Sequence, residues 1–194
     1  MRKIVCLVLS LMLVVLSFVA CTGKDNKFEG VKYVELTMES GDTMIIELFP
    51  DKAPLTVNHF LENVSEGYYD GKVFHRAVKG FMIQGGSADG NGVGGSARTV
   101  KGEFAANGVE NNLKHTRGIV SMARTNEYDS GSGQFFIMHA KTPSLDGQYA
   151  AFGRVVEGIE LVDKIVEMPV NGEILIEKPV IRSIHILENY TRES

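Results

Sequence analysis

The chain of 194 residues has no tryptophan and only two cysteines, Cys6 and Cys21, and neither stands in a C-x-x-C pair. Its five histidines are scattered, with no H-x-x-x-H spacing. That argues against the clustered nitrogen and sulfur ligands of a metal enzyme, and no metal or other cofactor is expected. No Gly-x-Ser-x-Gly elbow is present, so the activated nucleophile of a hydrolase is missing too. A basic run, basic residues interleaved with aromatics, internal repeats and low-complexity tracts are all absent. With a net charge of −4, nothing attracts nucleic acid. Residues 85–95, GGSADGNGVGG, are glycine-rich, yet no Lys-Ser/Thr and apolar helix follow to cradle a phosphate. Asp89 and Asn91 begin like a calcium loop, but the position that needs a bidentate Glu is Val100.

What is present begins with an export signal. Met1-Arg2-Lys3 is positive, and Ile4 to Val19 is apolar apart from Cys6, Ser10 and Ser17. The run closes on the small residue Ala20. Cys21 and the polar stretch TGKDNKFEG follow, a pattern that resembles a bacterial lipobox, although Phe18 stands where Leu is preferred. Residues 1–20 are therefore expected to be cleaved, Cys21 to be lipidated and residues 21–30 to tether the domain to a membrane of the cell envelope, on its extracytoplasmic side. The alternatives are secretion with a free Cys21 or an uncleaved anchor, for which the run is barely long enough. Loss of Cys6 with the signal leaves one cysteine and no intrachain disulfide.

Residues 31–190 read as one domain whose apolar content supports a sizeable core. Residues 31–38 and 43–49 alternate apolar and polar around Glu39-Ser40-Gly41-Asp42, which predicts a hairpin. Pro54 opens a helix with Val57, Phe60, Leu61 and Val64 on one stripe, ended by Gly67. His59 falls off that stripe and is expected at the helix surface. Strands are predicted over 118–123, 134–138, 150–156 and 180–187, with a second helix over 158–168. In the long connection from 85 to 117, the glycines of 85–95 suit close approach of backbone to an extended ligand, the alternative being a flexible surface loop. Strands outnumber helices without βαβ alternation, which implies an antiparallel barrel or sandwich.

The stretch from 73 to 86, VFHRAVKGFMIQGG, pairs two short apolar pieces with Arg76 and Gln84. A permanent cation with five donors and a neutral amide sit among aromatic and thioether surface, with no carboxylate, Cys or Ser beside them. Such a site works by binding and polarising. This run resembles the signature of the cyclophilin-type peptidyl-prolyl isomerases, and HTRGIVSMA (115–123), GQFFI (133–137) and LDGQYAAFGRV (145–155) agree in order. The resemblance covers residues 31–188 and implies a mainly β fold, a closed eight-stranded antiparallel barrel with a helix capping each end.

It also implies roles. Arg76 polarises the prolyl amide, and Gln84 binds substrate backbone or orients Arg76. Phe81, Met82, Phe136 and Leu145 line a proline pocket, with Tyr149 at its wall in place of a His common in eukaryotic members. Gly92 and Ala123 let substrate backbone come close, and Arg124, standing where the family has Asn, offers its main chain and a second cation near the groove. Ser144 aligns with the tryptophan that such members use for cyclosporin, so cyclosporin binding is expected to be weak. Partners are proline-containing segments of unfolded or exported proteins, and a monomer is expected. The rivals are a non-catalytic peptide-binding or holdase module on the same scaffold and a structural envelope lipoprotein.

Overall fold

The computed structural model describes residues 30–188 together with Phe28 and Tyr190. The predicted signal and Cys21 lie outside the described residues. Ten strands form one antiparallel sheet among the described residues. These are β1 (Tyr33–Met38), β2 (Thr43–Leu48), β3 (Phe74–Val78), β4 (Met82–Gly85) and β5 (Ile119–Met122), followed by β6 (Phe135–Met138), β7 (Ala151–Glu157), β8 (Val170–Asn171), β9 (Ile174–Leu175) and β10 (Ile181–Leu187). Helix α1 (Pro54–Ser65) lies against β10, and α2 (Glu160–Val166) lies against β3 and β4.

The strand order is β10-β1-β2-β7-β5-β6-β4-β3-β9-β8. The closed eight-stranded barrel expected above is therefore not seen as a continuous ladder. The two-residue hairpin β8–β9 extends the sheet beyond β3, and between β3 and β10 there is only the isolated bridge Val73↔Val180. Pro179, directly before that bridge, has no N–H to give a ladder. Backbone bonds from Phe74 N to Pro179 O and from Ile181 N to Lys72 O hold the two segments together.

Alternation along the central strands separates two apolar bodies. Val120, Met122, Phe135, Ile137 and Ile83 point into the main core. Their neighbours Ile119, Phe136, Met138 and Met82 join a second, smaller cluster on the other face. The main core is aromatic-rich: Phe60 of α1 packs 5.1 Å from Phe152 and edge-on at 5.9 Å to Phe135. Val57, Phe60, Leu61 and Val64 are buried as the stripe predicts.

His59 corrects the sequence reading. It is buried, and its ring lies 2.6 Å from the Ser132 carbonyl, to which Nε2–H donates. Thr56, His59 and Asn63 form a second, polar stripe on α1 that loops cover. Hydrophobic periodicity detects only the apolar stripe. The N-terminus of α1, capped by the apolar Ala53, is satisfied from far away. Buried Glu103 accepts from Leu55 N at 3.0 Å and from Thr56 N and Oγ1, both at 2.7 Å. A carboxylate suits that end of a helix, where backbone N–H groups lack partners. It also pins the middle of the long connection between β4 and β5 to the body of the protein.

Candidate active site

The β3–β4 hairpin carries the site because its register places polar residues in a row. Arg76 opposes Gln84, Gln84 opposes Phe136, and Phe136 opposes Ser121. Directly opposed residues share a face, so this row runs across four strands on the side away from the main core. The second apolar cluster is the floor beside it. Met82 and Phe136 are buried, while Phe81, Ala123, Leu145 and Tyr149 are only half covered. Tyr149 stands edge-on to Phe136 with ring centroids 5.6 Å apart. These residues enclose a cavity of about 170 Å³ that Arg76, Gln84 and Arg124 also border. Partial exposure of so much apolar surface is the mark of a site rather than of a finished core.

Arg76 is fixed at both edges of its fork. Its Nη1 donates to Gln84 Oε1 at 3.1 Å and faces Met82 Sδ at 3.8 Å. Nε and Nη2 both reach Glu173 Oε2 at 2.7 Å. The guanidinium carbon stands 5.9 Å from the centre of the Phe81 ring. Beyond Gln84 the hydrogen bonds continue: Gln84 Nε2 donates to Gln134 Oε1 at 2.9 Å, and Gln134 Nε2 donates to the carbonyls of Gly92 and Gly94. One polar line thus connects the β8–β9 turn, the arginine and the glycine loop.

Gly92 is not in the smaller cavity. It borders a neighbouring one of about 360 Å³, which shares Gln84, Ala123 and Arg124 with the first. Its φ of +98° and the His75 ring 3.3 Å from where a Cβ would stand explain why this position carries no side chain. Behind it, the Gly92 amide donates to Ser87 Oγ at 3.1 Å, and Ser87 Oγ lies 3.3 Å from His75 Nδ1. Burial pushes the His75 pKa down to about 4, so the ring is a neutral acceptor there.

Arg124 is held differently. Its guanidinium lies over Tyr149, Tyr128 and Phe104 at 4.5, 5.0 and 5.1 Å. Its Nε and Nη2 donate to the Gln148 carbonyl, and Nη1 donates to Thr125 O at 2.8 Å. The side chain joins two loops, and the residue borders both cavities.

Three features escaped the sequence reading. Glu173 and Gln134 are the partners of Arg76 and Gln84, brought in from 97 and 50 residues away. The two-residue turn between β8 and β9 is Gly172-Glu173, with glycine at the first central position. The third feature is a buried series behind Phe136. His115 Nδ1 lies 3.2 Å from Asp146 Oδ1, and Nε2 lies 3.1 Å from Ser121 Oγ. Burial lowers the His115 pKa, so the neutral ring donates to Asp146 and accepts from Ser121. This resembles a hydrolytic triad in composition only: Ser121 is completely buried and can reach no substrate. The His115 ring instead stacks on Phe136 at 6.0 Å and supports the cavity floor. Among the described residues, no three His, Cys, Asp or Glu side chains are grouped to hold a metal ion.

Comparison with known proteins agrees with this geometry. Residues 33–188 match the family described as cyclophilin type peptidyl-prolyl cis-trans isomerase/CLD. A peptidyl-prolyl cis-trans isomerase of Arabidopsis thaliana is 45% identical over 118 residues, covering 60% of this chain and 72% of that protein. Peptidyl-prolyl cis-trans isomerase B of Bacillus subtilis is 39% identical over 140 residues, 72% of this chain and 94% of the relative. Among solved structures, a cyclophilin-type isomerase of Cryptosporidium parvum, crystallised in the presence of the dipeptide Ala-Pro, superposes with a TM-score of 0.73 at 32% identity. That alignment covers 81% of this chain and all of the other. The chain belongs to the cyclophilin-type peptidyl-prolyl cis-trans isomerases.

Proposed function

We propose that this isomerase acts through Arg76, using the fixed guanidinium to favour a twisted prolyl amide held in the apolar cavity. Rotation about a peptide bond is opposed by resonance worth about 18–20 kcal/mol. For X–Pro bonds exchange takes on the order of tens to hundreds of seconds without a catalyst. At half rotation conjugation is lost and the nitrogen gains a lone pair. A charged donor aimed at that atom is then worth more than it is against the planar amide. Phe81, Met82, Phe136, Leu145 and Tyr149 supply a slot for the proline ring, which lets the rest of the bond turn. Backbone around Ala123, Arg124 and Gly92 offers edges for the adjoining peptide.

The observation that carries this reading is the position of Arg76: anchored by Gln84, beside the Phe81 ring and at the rim of the cavity. The test follows cis-to-trans relaxation of a short Ala-Pro peptide by NMR exchange or a coupled protease. Arg76→Ala should lower kcat/KM by about a hundredfold, the scale of losing one well-placed transition-state donor. Equal rates for variant and wild type would leave a peptide-binding module without Arg-assisted catalysis.

Residues 1–30 support a place for this activity. A positive start, an apolar run and Ala20-Cys21 fit export followed by lipid attachment at Cys21, with exported chains as substrates at the envelope surface. The mass of the mature N-terminal peptide decides it: an acylated residue 21 is expected, and an unmodified one would reject the anchor.

A further inference from the structure

We infer that Glu173, at the turn of the β8–β9 hairpin, is a positioning residue for Arg76. The inference rests on the catalytic reading of Arg76 above and extends its apparatus to the far edge of the sheet. Main-chain bonds and the buried Leu175 side chain bring the hairpin there. Ile174 pairs with Arg76, the Ala77 amide donates to the Glu173 carbonyl at 3.0 Å, and Ile176 N donates to Pro169 O at 3.0 Å. Gly172, with φ +64°, makes the turn that leaves Glu173 directly beside β3. The hairpin therefore does not need the Glu173 carboxylate to stay in place.

That carboxylate is nevertheless used. One oxygen, Oε2, accepts from Nε–H of Arg76 at 2.7 Å and forms an ion pair with Nη2, also at 2.7 Å. On the opposite edge Gln84 Oε1 receives an Nη1–H at 3.1 Å. A planar fork gripped on two edges cannot rotate about its last bonds. Of the five donors of a guanidinium, the Nε–H and one Nη1–H are thereby hydrogen-bonded, while Nη2 stands in ionic contact with Glu173. Another faces the Met82 sulfur at 3.8 Å, a weak acceptor that a substrate atom can displace. Nη2 donates no hydrogen bond to the described residues and so keeps donor capacity for the reacting amide. Without Glu173 the Nε edge has no other acceptor among the described residues, and the fork regains freedom that substrate binding must then remove.

Charge alone would argue the other way, because an anion beside Arg76 weakens its field. The Glu173 side chain is 55% exposed, however, and water and salt screen its effect on an atom beyond the arginine. Placement wins over damping. The sign of the effect follows: removal of the carboxylate slows isomerisation, and a neutral amide of the same reach restores it.

The experiment measures kcat/KM on an Ala-Pro peptide for wild type, Glu173→Ala, Glu173→Gln, Arg76→Ala and the double variant Arg76→Ala/Glu173→Ala, with thermal unfolding of each. Glu173→Ala should fall about three- to fivefold, the scale of one exposed ion pair. Glu173→Gln should stay within about twofold of wild type, because its carbonyl oxygen still accepts from the fork. In the Arg76→Ala background, loss of Glu173 should change nothing further. Full activity in Glu173→Ala, equal losses in the Ala and Gln variants, or an additional loss in the double variant would each overturn the positioning role while leaving Arg76 catalytic. An Arg76→Ala enzyme as fast as wild type would instead remove the catalytic reading itself.

Discussion

Two arginines border one cavity and are restrained by opposite means. Arg76 is gripped by side-chain acceptors, Glu173 and Gln84, and keeps donor capacity toward the cavity. Arg124 is stacked on Tyr149, Tyr128 and Phe104, and its donors go to backbone carbonyls of residues 125, 126 and 148. On the reading proposed above, the first is arranged to act on something that arrives. The second closes a gap between loops 124–133 and 143–150. Proximity of a cation to an apolar slot is therefore no guide to its work; which of its N–H groups already have partners is the better one.

The sharpest way to break this comparison keeps both charges and changes only their shape. Arg76→Lys retains a cation but loses the planar fork and its simultaneous contacts with Glu173 and Gln84. The expected fall in kcat/KM is tenfold or more, about 1.4 kcal/mol for each factor of ten. Arg124→Lys should stay within about threefold, since a lysine can still lie over the same rings. Similar losses in the two variants, in a peptide relaxation assay, would show that the cavity responds to charge alone.

Acid sharpens the comparison from the other side, through the buried histidines of the scaffold. The His75 ring, buried next to Arg76 on β3, has its pKa lowered from 6.5 to about 4. An unfolded chain takes up that proton near 6.5, whereas the folded one resists until about 4. Stability from this group is thus complete above pH 6.5 and is lost as pH falls toward 4. One unit is about 1.4 kcal/mol, so a shift from 6.5 to about 4 contributes about 3 kcal/mol in total. His59 and His115, also lowered by burial, act with the same sign. Burial opposes ionisation of Asp146, but the His115 amide and ring hold its pKa low, so its contribution fades only below 3.8. Denaturant melts at pH 7, 5.5 and 4.5 should show the decline, and His75→Gln should flatten part of it. A flat profile in the wild type would contradict the burial of these rings.

How far the sequence anticipated this molecule depends on how local each signal is. The split between Phe135 in the core and Phe136 in the cavity is a period-two pattern, readable from GQFFI once a strand is assumed. The apolar stripe of α1 and the pairing of Arg76 with Gln84 across a short turn are equally local. Membership of the family was legible from four ordered motifs. Glu173 was not, since nothing within the β3–β4 hairpin reports which acid a distant turn will deliver. The burial of His59 was hidden for the same reason: its cover, the Ser132 carbonyl, comes from 73 residues away. The opening in the ladder between β3 and β10 depends on Pro179 and on a two-residue hairpin too short to show periodicity. Local pattern gave the faces of the elements; the partners that fix their polar groups are tertiary.

The smallest effect is the most informative about Arg124. Arg124→Ala removes three ring contacts and the donors to Gln148 O and Thr125 O. At a partly exposed site, a cation–π contact contributes about 0.5–1 kcal/mol. The expected loss of stability is therefore about 1 kcal/mol, read as a shift in denaturation midpoint at unchanged slope. Tyr149 would lose one neighbour but keep its edge-on contact with Phe136, so the cavity wall should persist and kcat/KM should change by less than about threefold. A large loss of activity at unchanged stability would move Arg124 from strut to participant, and the contrast between the two arginines would fail. A loss of both together, reversed by Arg124→Lys, would instead show that the wall holding the proline depends on the stack.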